Sequence, residues 1–187
     1  MNSRFDILET PLPGLLVIQR KPIGDDRGYL ERMYCQQELQ SVAPGKTIAQ
    51  INHTLTAKRG TVRGMHFQRP PHGETKLVSC LRGKVFDVAV DLRRSSPTFL
   101  RWHAVILTGD NHKSLAIPEG FAHGFQTLDD HCEMLYFHTS AYHPEAEDGI
   151  NAGDPLLAIR WPEAISDRSA RDAALPMISQ NFNGIEL

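Results

Sequence analysis

The sequence contains no apolar run long enough to cross a lipid bilayer and no block of like charges. A membrane-spanning helix needs about 20 consecutive apolar residues, so we expect no transmembrane segment and no membrane partner. Contacts with nucleic-acid phosphates require a clustered positive surface, and the formal net charge of −2 without a basic block therefore predicts no nucleic-acid partner. Any anionic ligand must be bound by a local group of basic side chains.

Cysteine is scarce, and its spacing does not suggest pairing. Cys35, Cys80 and Cys132 are an odd number, and none belongs to a Cys-x-x-Cys pair. This pattern disfavours both a disulfide framework and a thiolate zinc site. The first residues are polar and lack the apolar core of a signal peptide. We therefore expect buried free thiols in a reduced, cytoplasmic protein.

Long helical periodicity is also lacking, and neither an internal repeat nor a linker-like change in composition divides the chain. The 187 residues, 41% of them hydrophobic and 22% charged, suit a single domain over residues 1–187. Short apolar stretches between Gly- and Pro-containing turns predict a mainly β sandwich or barrel. Short peripheral helices are expected near residues 36–42 and 168–174.

The clearest alternation in the sequence lies between residues 84 and 92. One set of positions holds Phe86, Val88, Val90 and Leu92, and the intervening set holds Val85, Asp87, Ala89 and Asp91. With a turn at residues 82–83, this pattern predicts a hairpin between residues 76–81 and 84–92. The two aspartates then share one face of the second strand, which makes Asp87 a candidate neighbour of Lys76 or His66.

Several residues are of the types that proton abstraction beside a carbonyl requires. Arg63 and His66 lie close in sequence to Lys76, and His123 follows in a later strand-like segment. Imidazole has an unperturbed pKa near neutrality and can act as a base. A lysine can stabilise an enolate oxygen, and an arginine can pair with phosphate. The set predicts an enzyme for an anionic carbonyl substrate, although either histidine alone could be structural.

A series of short motifs extends in order from about residue 15 to residue 180. They are Gln50-Ile51-Asn52, residues 63–68, 76–78, 83–93, 96–98, 118–125, Leu135-Tyr136, Asp154-Pro155 and residues 159–162. Each motif is weak alone, but the ordered set resembles the dTDP-4-dehydrorhamnose 3,5-epimerase family. The resemblance implies a cupin-type jelly-roll barrel that forms a homodimer.

The implied activity is epimerisation at C3 and/or C5 of a nucleotide diphosphate-linked 4-keto-6-deoxyhexose, with no cofactor and no metal. The expected substrate is dTDP-4-dehydro-6-deoxyglucose, and the expected product is dTDP-4-dehydrorhamnose. A 4-keto group acidifies the protons on both neighbouring carbons, so such an enzyme needs a base on one face of the sugar and a proton donor on the other.

The resemblance also implies roles for individual residues. His66 would be the base, Tyr136 the proton donor, Lys76 the enolate-stabilising cation and Asp172 the carboxylate that orients His66. The residues 166–168 offer a competing alignment for the Asp172 motif. The implied substrate-binding residues are Arg27, Glu31, Gln50, Asn52, Arg63, His123, Tyr142, Glu147 and Arg171. From the residues alone, Tyr136 could equally be a buried structural tyrosine.

One motif departs from the family pattern. Family members often carry Arg-Gly-x-Phe-x-Glu, with the glutamate placed to contact the nucleotide base. Here Glu31 comes four residues after Arg27, and Arg32 occupies the fifth position. A shift of one residue moves a strand side chain to the other face. We therefore expect looser discrimination among nucleotide bases.

Two other functions remain compatible with a cupin fold. A metal-dependent cupin normally presents two histidines two residues apart plus a glutamate, whereas this chain has His66-Phe67-Gln68. His66, His123 and Glu74 together would supply few nitrogen ligands for iron, manganese or zinc. A non-catalytic sugar-nucleotide-binding cupin is the second alternative, but binding alone does not need His66 and Tyr136 as an opposed base and acid.

Overall fold

Antiparallel β-strands are the main regular secondary structure of residues 3–187, the part of the chain that the computed structural model describes. Within this range a single short helix, α1 (Ala170–Ala173), lies near the C-terminus. The strands are β1 (Phe5–Glu9), β2 (Leu16–Arg20), β3 (Ile23–Asp25), β4 (Gly28–Leu30), β5 (Gln50–Thr56), β6 (Val62–Gln68), β7 (Lys76–Arg82), β8 (Lys84–Asp91), β9 (Trp102–Thr108), β10 (Lys113–Ile117), β11 (Phe121–Thr127), β12 (Cys132–His138) and β13 (Glu147–Gly149).

The strands form two facing sheets and one separate hairpin. A six-stranded sheet has the order β1-β2-β10-β7-β12-β5, and a five-stranded sheet has the order β13-β6-β11-β8-β9. Strands β3 and β4 pair only with each other among the described residues. This arrangement confirms the predicted mainly β class.

The two sheets pack against each other through an inner apolar cluster. Val78 and Met134 contribute to it from the six-stranded sheet, and Val85, Ala89 and Phe125 contribute from the five-stranded sheet. Removing apolar surface from water stabilises a fold by about 25 cal/mol per Å², and burial of this cluster is therefore the main contribution that holds the sheets face to face.

Both faces of β8 are buried, as its alternating pattern allows. Val85 and Ala89 face the inner cluster, whereas Val88 and Val90 belong to a second cluster outside the five-stranded sheet. C-terminal residues such as Ile185 cover that second cluster. The two alternating sets of β8 therefore lie on opposite faces, as predicted.

The predicted pairing of residues 76–81 with residues 84–92 is wrong. Strands β7 and β8 are separated only by Gly83, yet β7 pairs with β10 and β12, while β8 pairs with β9 and β11. The chain passes from one sheet to the other at Gly83, which has a φ of 78°. A Cβ there would lie 2.8 Å from the Cys132 sulfur. The local pattern identified both strands but not their partners, which are distant in sequence.

One of the two predicted helices is present. Helix α1 begins after Ser169, whose hydroxyl accepts a hydrogen bond from the Asp172 N–H at 3.0 Å, as an N-cap does. Residues 36–42 instead form turns, in which the Leu39 N–H donates to the Cys35 carbonyl. Leu39 is buried against the outside of the six-stranded sheet. The Val42 N–H donates to the Leu39 carbonyl three residues back, and Pro44 follows, so these turns do not continue as a helix.

The cysteine prediction agrees with the structure. All three thiols are free, and Cys80 and Cys132 are buried while Cys35 is half-buried. Burial, reinforced by the neighbouring Cys132, raises the pKa of Cys80 to about 12, so its thiol is unreactive at neutral pH. Among the helices of residues 3–187, none has the length and apolar character needed to span a membrane.

A buried carboxylate fixes the end of β8. Asp91 is fully buried and accepts hydrogen bonds from the Arg93 Nε at 2.9 Å, the Arg93 Nη2 at 2.8 Å and the Thr98 hydroxyl at 2.7 Å. Burial by itself would raise the pKa of Asp91, but these donors outweigh it and hold the pKa below the usual value. The interaction ties the turn after β8 to the strand.

We expect Asp91→Ala to lower the free energy of unfolding by about 3 kcal/mol at pH 7, because it leaves Arg93 without its partner. Urea denaturation provides the measurement, with the exposed Asp110→Ala as a control that should change little. The folded-state pKa is depressed, so the contribution is complete above the unfolded value and is lost below about pH 4. An equal difference between wild type and variant at pH 3 and pH 7 would contradict this assignment.

Candidate active site

A cavity of about 610 Å³ opens between the two sheets, a size typical of small-molecule sites. Both sheets contribute to its lining. Eleven of the thirteen site residues predicted from the sequence line this cavity. They are His66, Tyr136, Lys76, Asp172, Gln50, Asn52, Arg63, His123, Tyr142, Glu147 and Arg171. The exceptions, Arg27 and Glu31, lie elsewhere and are described below.

His66 on β6 is oriented by Asp172 on α1. The His66 Nε2 lies 2.8 Å from Asp172 Oδ1, and Asp172 Oδ2 accepts a hydrogen bond from the Gly64 N–H at 3.1 Å. Burial raises the pKa of Asp172, but hydrogen bonds from His66 and Gly64 outweigh burial and lower it overall. The carboxylate is therefore ionised at neutral pH and accepts from Nε2–H. The ring's lone pair then lies on Nδ1, which can act as a base.

His123 forms a second histidine–aspartate pair beside the first. His66 and His123 are register partners on adjacent strands β6 and β11. The His123 Nε2 lies 3.0 Å from both carboxylate oxygens of Asp87, which is fully buried. Asp87, the candidate neighbour of Lys76 or His66, thus forms its hydrogen bonds with His123, because β8 pairs with β11.

Tyr136 enters the cavity from the opposite sheet. It lies on β12 of the six-stranded sheet, and its ring meets the His123 ring edge-on at a centroid distance of 6.2 Å. Burial, and next the negative charge of Asp87, raise the pKa of Tyr136. Its hydroxyl is therefore protonated at neutral pH and can donate a proton from the side facing His66.

Lys76 belongs to a buried charged group at the start of β7. Its Nζ lies 3.0 Å from Glu74 Oε1, and the other oxygen of Glu74 lies 2.7 Å from His138 Nδ1. Burial raises the pKa of Glu74, but the hydrogen bond from His138 and the charge of Lys76 more than compensate and lower it. The glutamate is ionised and fixes the position of the ammonium group in the cavity wall.

A β-bulge allows Arg63 and His66 to line the same cavity. Residues three apart on a regular strand face opposite sides of the sheet. On β6, however, Arg63 pairs with Phe125 and His66 pairs with His123, so β6 has one extra residue over this interval. Gly64 lies within it, and a Cβ there would lie 2.6 Å from the Gly124 Cα. Bulges often re-aim side chains in this way.

Polar side chains surround the entrance of the cavity. The Gln50 and Asn52 side chains share one face of β5 and hydrogen-bond to each other at 3.1 Å, and Gln50 also accepts from the Tyr142 N–H at 3.0 Å. Glu147 accepts from the Tyr142 hydroxyl at 2.6 Å and pairs with Arg171 at 2.6 Å. The entrance thus combines amide groups with a basic side chain.

Arg27 and Glu31 are not part of this chain's cavity. Arg27 lies at the tip of the β3–β4 hairpin and pairs with Asp25, where both side chains are exposed. Glu31 is instead engaged inside the chain, with its Oε1 2.7 Å from the Arg20 Nε and 2.9 Å from the His112 Nδ1. Both contacts use one oxygen of the Glu31 carboxylate and hold its side chain against its own chain.

The cavity lining also includes Glu74, His138 and Arg168, to which the sequence analysis assigned no role in the epimerisation. Two of them had a detectable pattern. Glu74 precedes Lys76 by two residues, and His138 follows Tyr136 by two residues, which places the latter pair on one face of β12. Arg168 had no such pattern, since it lies in an irregular segment held by a 3.0 Å hydrogen bond to Asn151.

Known proteins resemble the chain over nearly its whole length. The dTDP-4-dehydrorhamnose 3,5-epimerase of Salmonella typhimurium is 43% identical over 176 residues, which cover 93% of this chain and 96% of that protein. The crystal structure of the dTDP-4-dehydrorhamnose 3,5-epimerase of Bacillus anthracis, with TDP and pyrophosphate bound, matches with a TM-score of 0.89 at 37% identity, over 93% of this chain and 99% of that one.

A second solved structure comes from Legionella pneumophila. It is a dTDP-6-deoxy-D-glucose-3,5-epimerase in complex with dTDP-4-keto-L-rhamnose, and it matches with a TM-score of 0.87 at 39% identity, over 92% of each chain. These likenesses confirm the cupin-type jelly roll. The family model described as dTDP-4-dehydrorhamnose 3,5-epimerase matches residues 9–180, and the chain therefore belongs to the dTDP-4-dehydrorhamnose 3,5-epimerase family.

Proposed function

We propose that the protein epimerises a nucleotide diphosphate-linked 4-keto-6-deoxyhexose at C3 and C5, and that its substrate is dTDP-4-dehydro-6-deoxyglucose. The single observation that carries this proposal is the placement of His66 and Tyr136 on facing sheets across one cavity. A base and a proton donor on opposite walls can invert a carbon that lies between them.

The proposed reaction proceeds through an enolate. The Nδ1 of His66 takes the proton from the carbon next to the C4 carbonyl, and the bonding electrons move to the C4 oxygen. The ammonium of Lys76, held by Glu74, stabilises that oxygen. Tyr136 then donates its proton to the opposite face of the carbon. The resulting imidazolium and phenolate return to their starting forms by proton exchange with solvent, so no cofactor is consumed.

The nucleotide end of the substrate is assigned to the basic entrance. Arg63, Arg168 and Arg171 line the cavity and can pair with the diphosphate. Glu31 is already bound to Arg20 and His112. We therefore propose that the diphosphate supplies most of the nucleotide affinity, with weaker discrimination of the base.

We further propose that the active form is a homodimer. Ile23, Tyr29 and Leu30 on the β3–β4 hairpin are 49%, 61% and 67% exposed, an unusual concentration of apolar surface on so short an element. Ile51 and Leu55 are also exposed on the edge strand β5. A second copy that covered these side chains would remove this apolar surface from water.

The proposed setting is the cytoplasm. A nucleotide-sugar substrate and the buried free thiols of Cys80 and Cys132 are compatible with a reducing compartment. The localisation itself stays a prediction.

The reaction can be tested by NMR in deuterated water with dTDP-4-dehydro-6-deoxyglucose. Wild-type protein should incorporate deuterium at C3 and C5, whereas His66→Asn should reduce exchange at both carbons by about 100- to 10 000-fold. Binding of dTDP should remain near the wild-type level, which shows that the cavity is intact. Exchange by His66→Asn close to the wild-type rate would remove His66 from the role of base.

Tyr136→Phe should separate abstraction from inversion. This variant retains the base, so deuterium should still enter a carbon next to the carbonyl, but little inverted product should form because the opposite-face donor is missing. The same NMR experiment gives exchange and product ratio together. Normal epimer formation by Tyr136→Phe would overturn the assignment.

The dimer is testable by sedimentation velocity. The wild type should sediment at about twice the chain mass, and Leu30→Asp should shift it towards the monomer because a charge would have to be buried at the interface. Leu156→Asp is a matched control, since Leu156 is 61% exposed on a different segment. A monomeric wild type, or equal dissociation in both variants, would contradict the assignment of the hairpin to the interface.

A further inference from the structure

Two histidines and a glutamate form a cluster beside the cavity. The proposed epimerisation mechanism does not use these three residues. The rings of His72 and His143 stack with their centroids 3.6 Å apart and an angle of 28° between planes. Glu145 Oε1 lies 3.2 Å from His143 Nδ1. One potential ligand atom from each of the three residues lies within 4.8 Å of the other two.

A buried amide holds the two chain segments of this cluster in place. Gln68 is only 5% exposed and donates hydrogen bonds to the carbonyls of His72 and Ala141, both at 3.1 Å. Its Oε1 accepts from the His143 N–H at 2.7 Å. The Gln68 side chain therefore fixes the backbone of both histidines, while both histidines remain partly exposed to solvent.

We propose that His72, His143 and Glu145 bind a divalent transition-metal ion of the Zn²⁺ type, with water completing the coordination shell. Two imidazoles and a carboxylate are a ligand set that zinc uses in proteins. Bonds of about 2.1 Å separate neighbouring ligand atoms by roughly 3.0–3.4 Å, which the 3.2 Å spacing of His143 and Glu145 already matches. Mg²⁺ and Ca²⁺ prefer oxygen ligands and should not compete.

Binding would require a small rearrangement of the rings. The nitrogen lone pairs of stacked imidazoles lie in nearly parallel planes, so the two rings must rotate apart before a nitrogen of each can point at one ion. Both histidines are only half-buried, which leaves room for this rotation. The Glu145 side chain is exposed and can follow.

An ion at this position would join two segments at the entrance of the cavity. His72 precedes Glu74 by two residues, and His143 directly follows Tyr142, whose hydroxyl contacts Glu147. The ion would therefore restrain the entrance without contacting the reacting carbons. This site does not depend on the proposed epimerisation, because its ligands differ from the residues assigned to that reaction.

The test is calorimetric titration of chelator-treated full-length protein with Zn²⁺ at pH 7.5. Wild type should bind one equivalent. His72→Ala, His143→Ala and Glu145→Gln should each weaken binding at least about tenfold, since even the outer partners of metal ligands are worth that much. His53→Ala is the matched control, because His53 on β5 also lies 3.0 Å from a carboxylate, that of Glu133 on β12, and is not one of the proposed ligands. It should bind like wild type.

Two further measurements make the result independent of folding defects. Zn²⁺, but not Mg²⁺, should raise the melting temperature of wild type and leave that of Glu145→Gln nearly unchanged. Co²⁺ should give visible absorption bands in wild type that His143→Ala lacks. The proposal would be overturned if wild type did not bind Zn²⁺, or if all three site variants bound it as tightly as wild type. It would also be overturned if His53→Ala lost as much Zn²⁺ affinity as the site variants.

Discussion

The packing of the two sheets against one inner apolar cluster is the constraint on which the site depends. Val78 and Met134 on one side meet Val85 and Phe125 on the other, and this contact sets the separation of the sheets. Beyond the cluster the same two sheets continue as the walls of the cavity. The apolar core thus supports the polar site directly, because close-packed interiors deform little. A base and an acid on separate sheets gain a fixed separation that flexible loops would not provide.

The charges near this core are tolerated because each is paired. Asp87 accepts from His123, Asp172 accepts from His66 and Glu74 pairs with Lys76. An unpaired carboxylate at such depth would cost several kcal/mol or take up a proton. The pairing has a chemical consequence as well as a structural one. Asp172 stays ionised and keeps the His66 lone pair on the nitrogen that acts, while Glu74 holds the ammonium of Lys76 in the cavity wall.

The entrance is organised differently from the interior. Tyr142, Glu147 and Arg171 form one hydrogen-bonded group there, and two of these side chains are more than half exposed. Exposed polar contacts contribute little free energy, so this region should adapt to the nucleotide more readily than the sheet walls do. Nucleotide binding therefore depends on the adaptable entrance, whereas the chemical step depends on the more rigid sheet walls.

The sequence by itself determined the mainly β class and the faces of β8, because alternation is a local property of the chain. Its resemblance to the family implied eleven of the cavity residues, among them His66, Lys76 and Tyr136. Only the tertiary structure decided that β7 and β8 belong to different sheets, that a bulge on β6 turns Arg63 towards the cavity of His66, and that Glu31 is held within the chain. Each of these depends on which distant segments pair and in what register. Such contacts reflect the balance of packing and hydrogen bonding over the whole molecule, so a local pattern can mark a strand but cannot choose its neighbours.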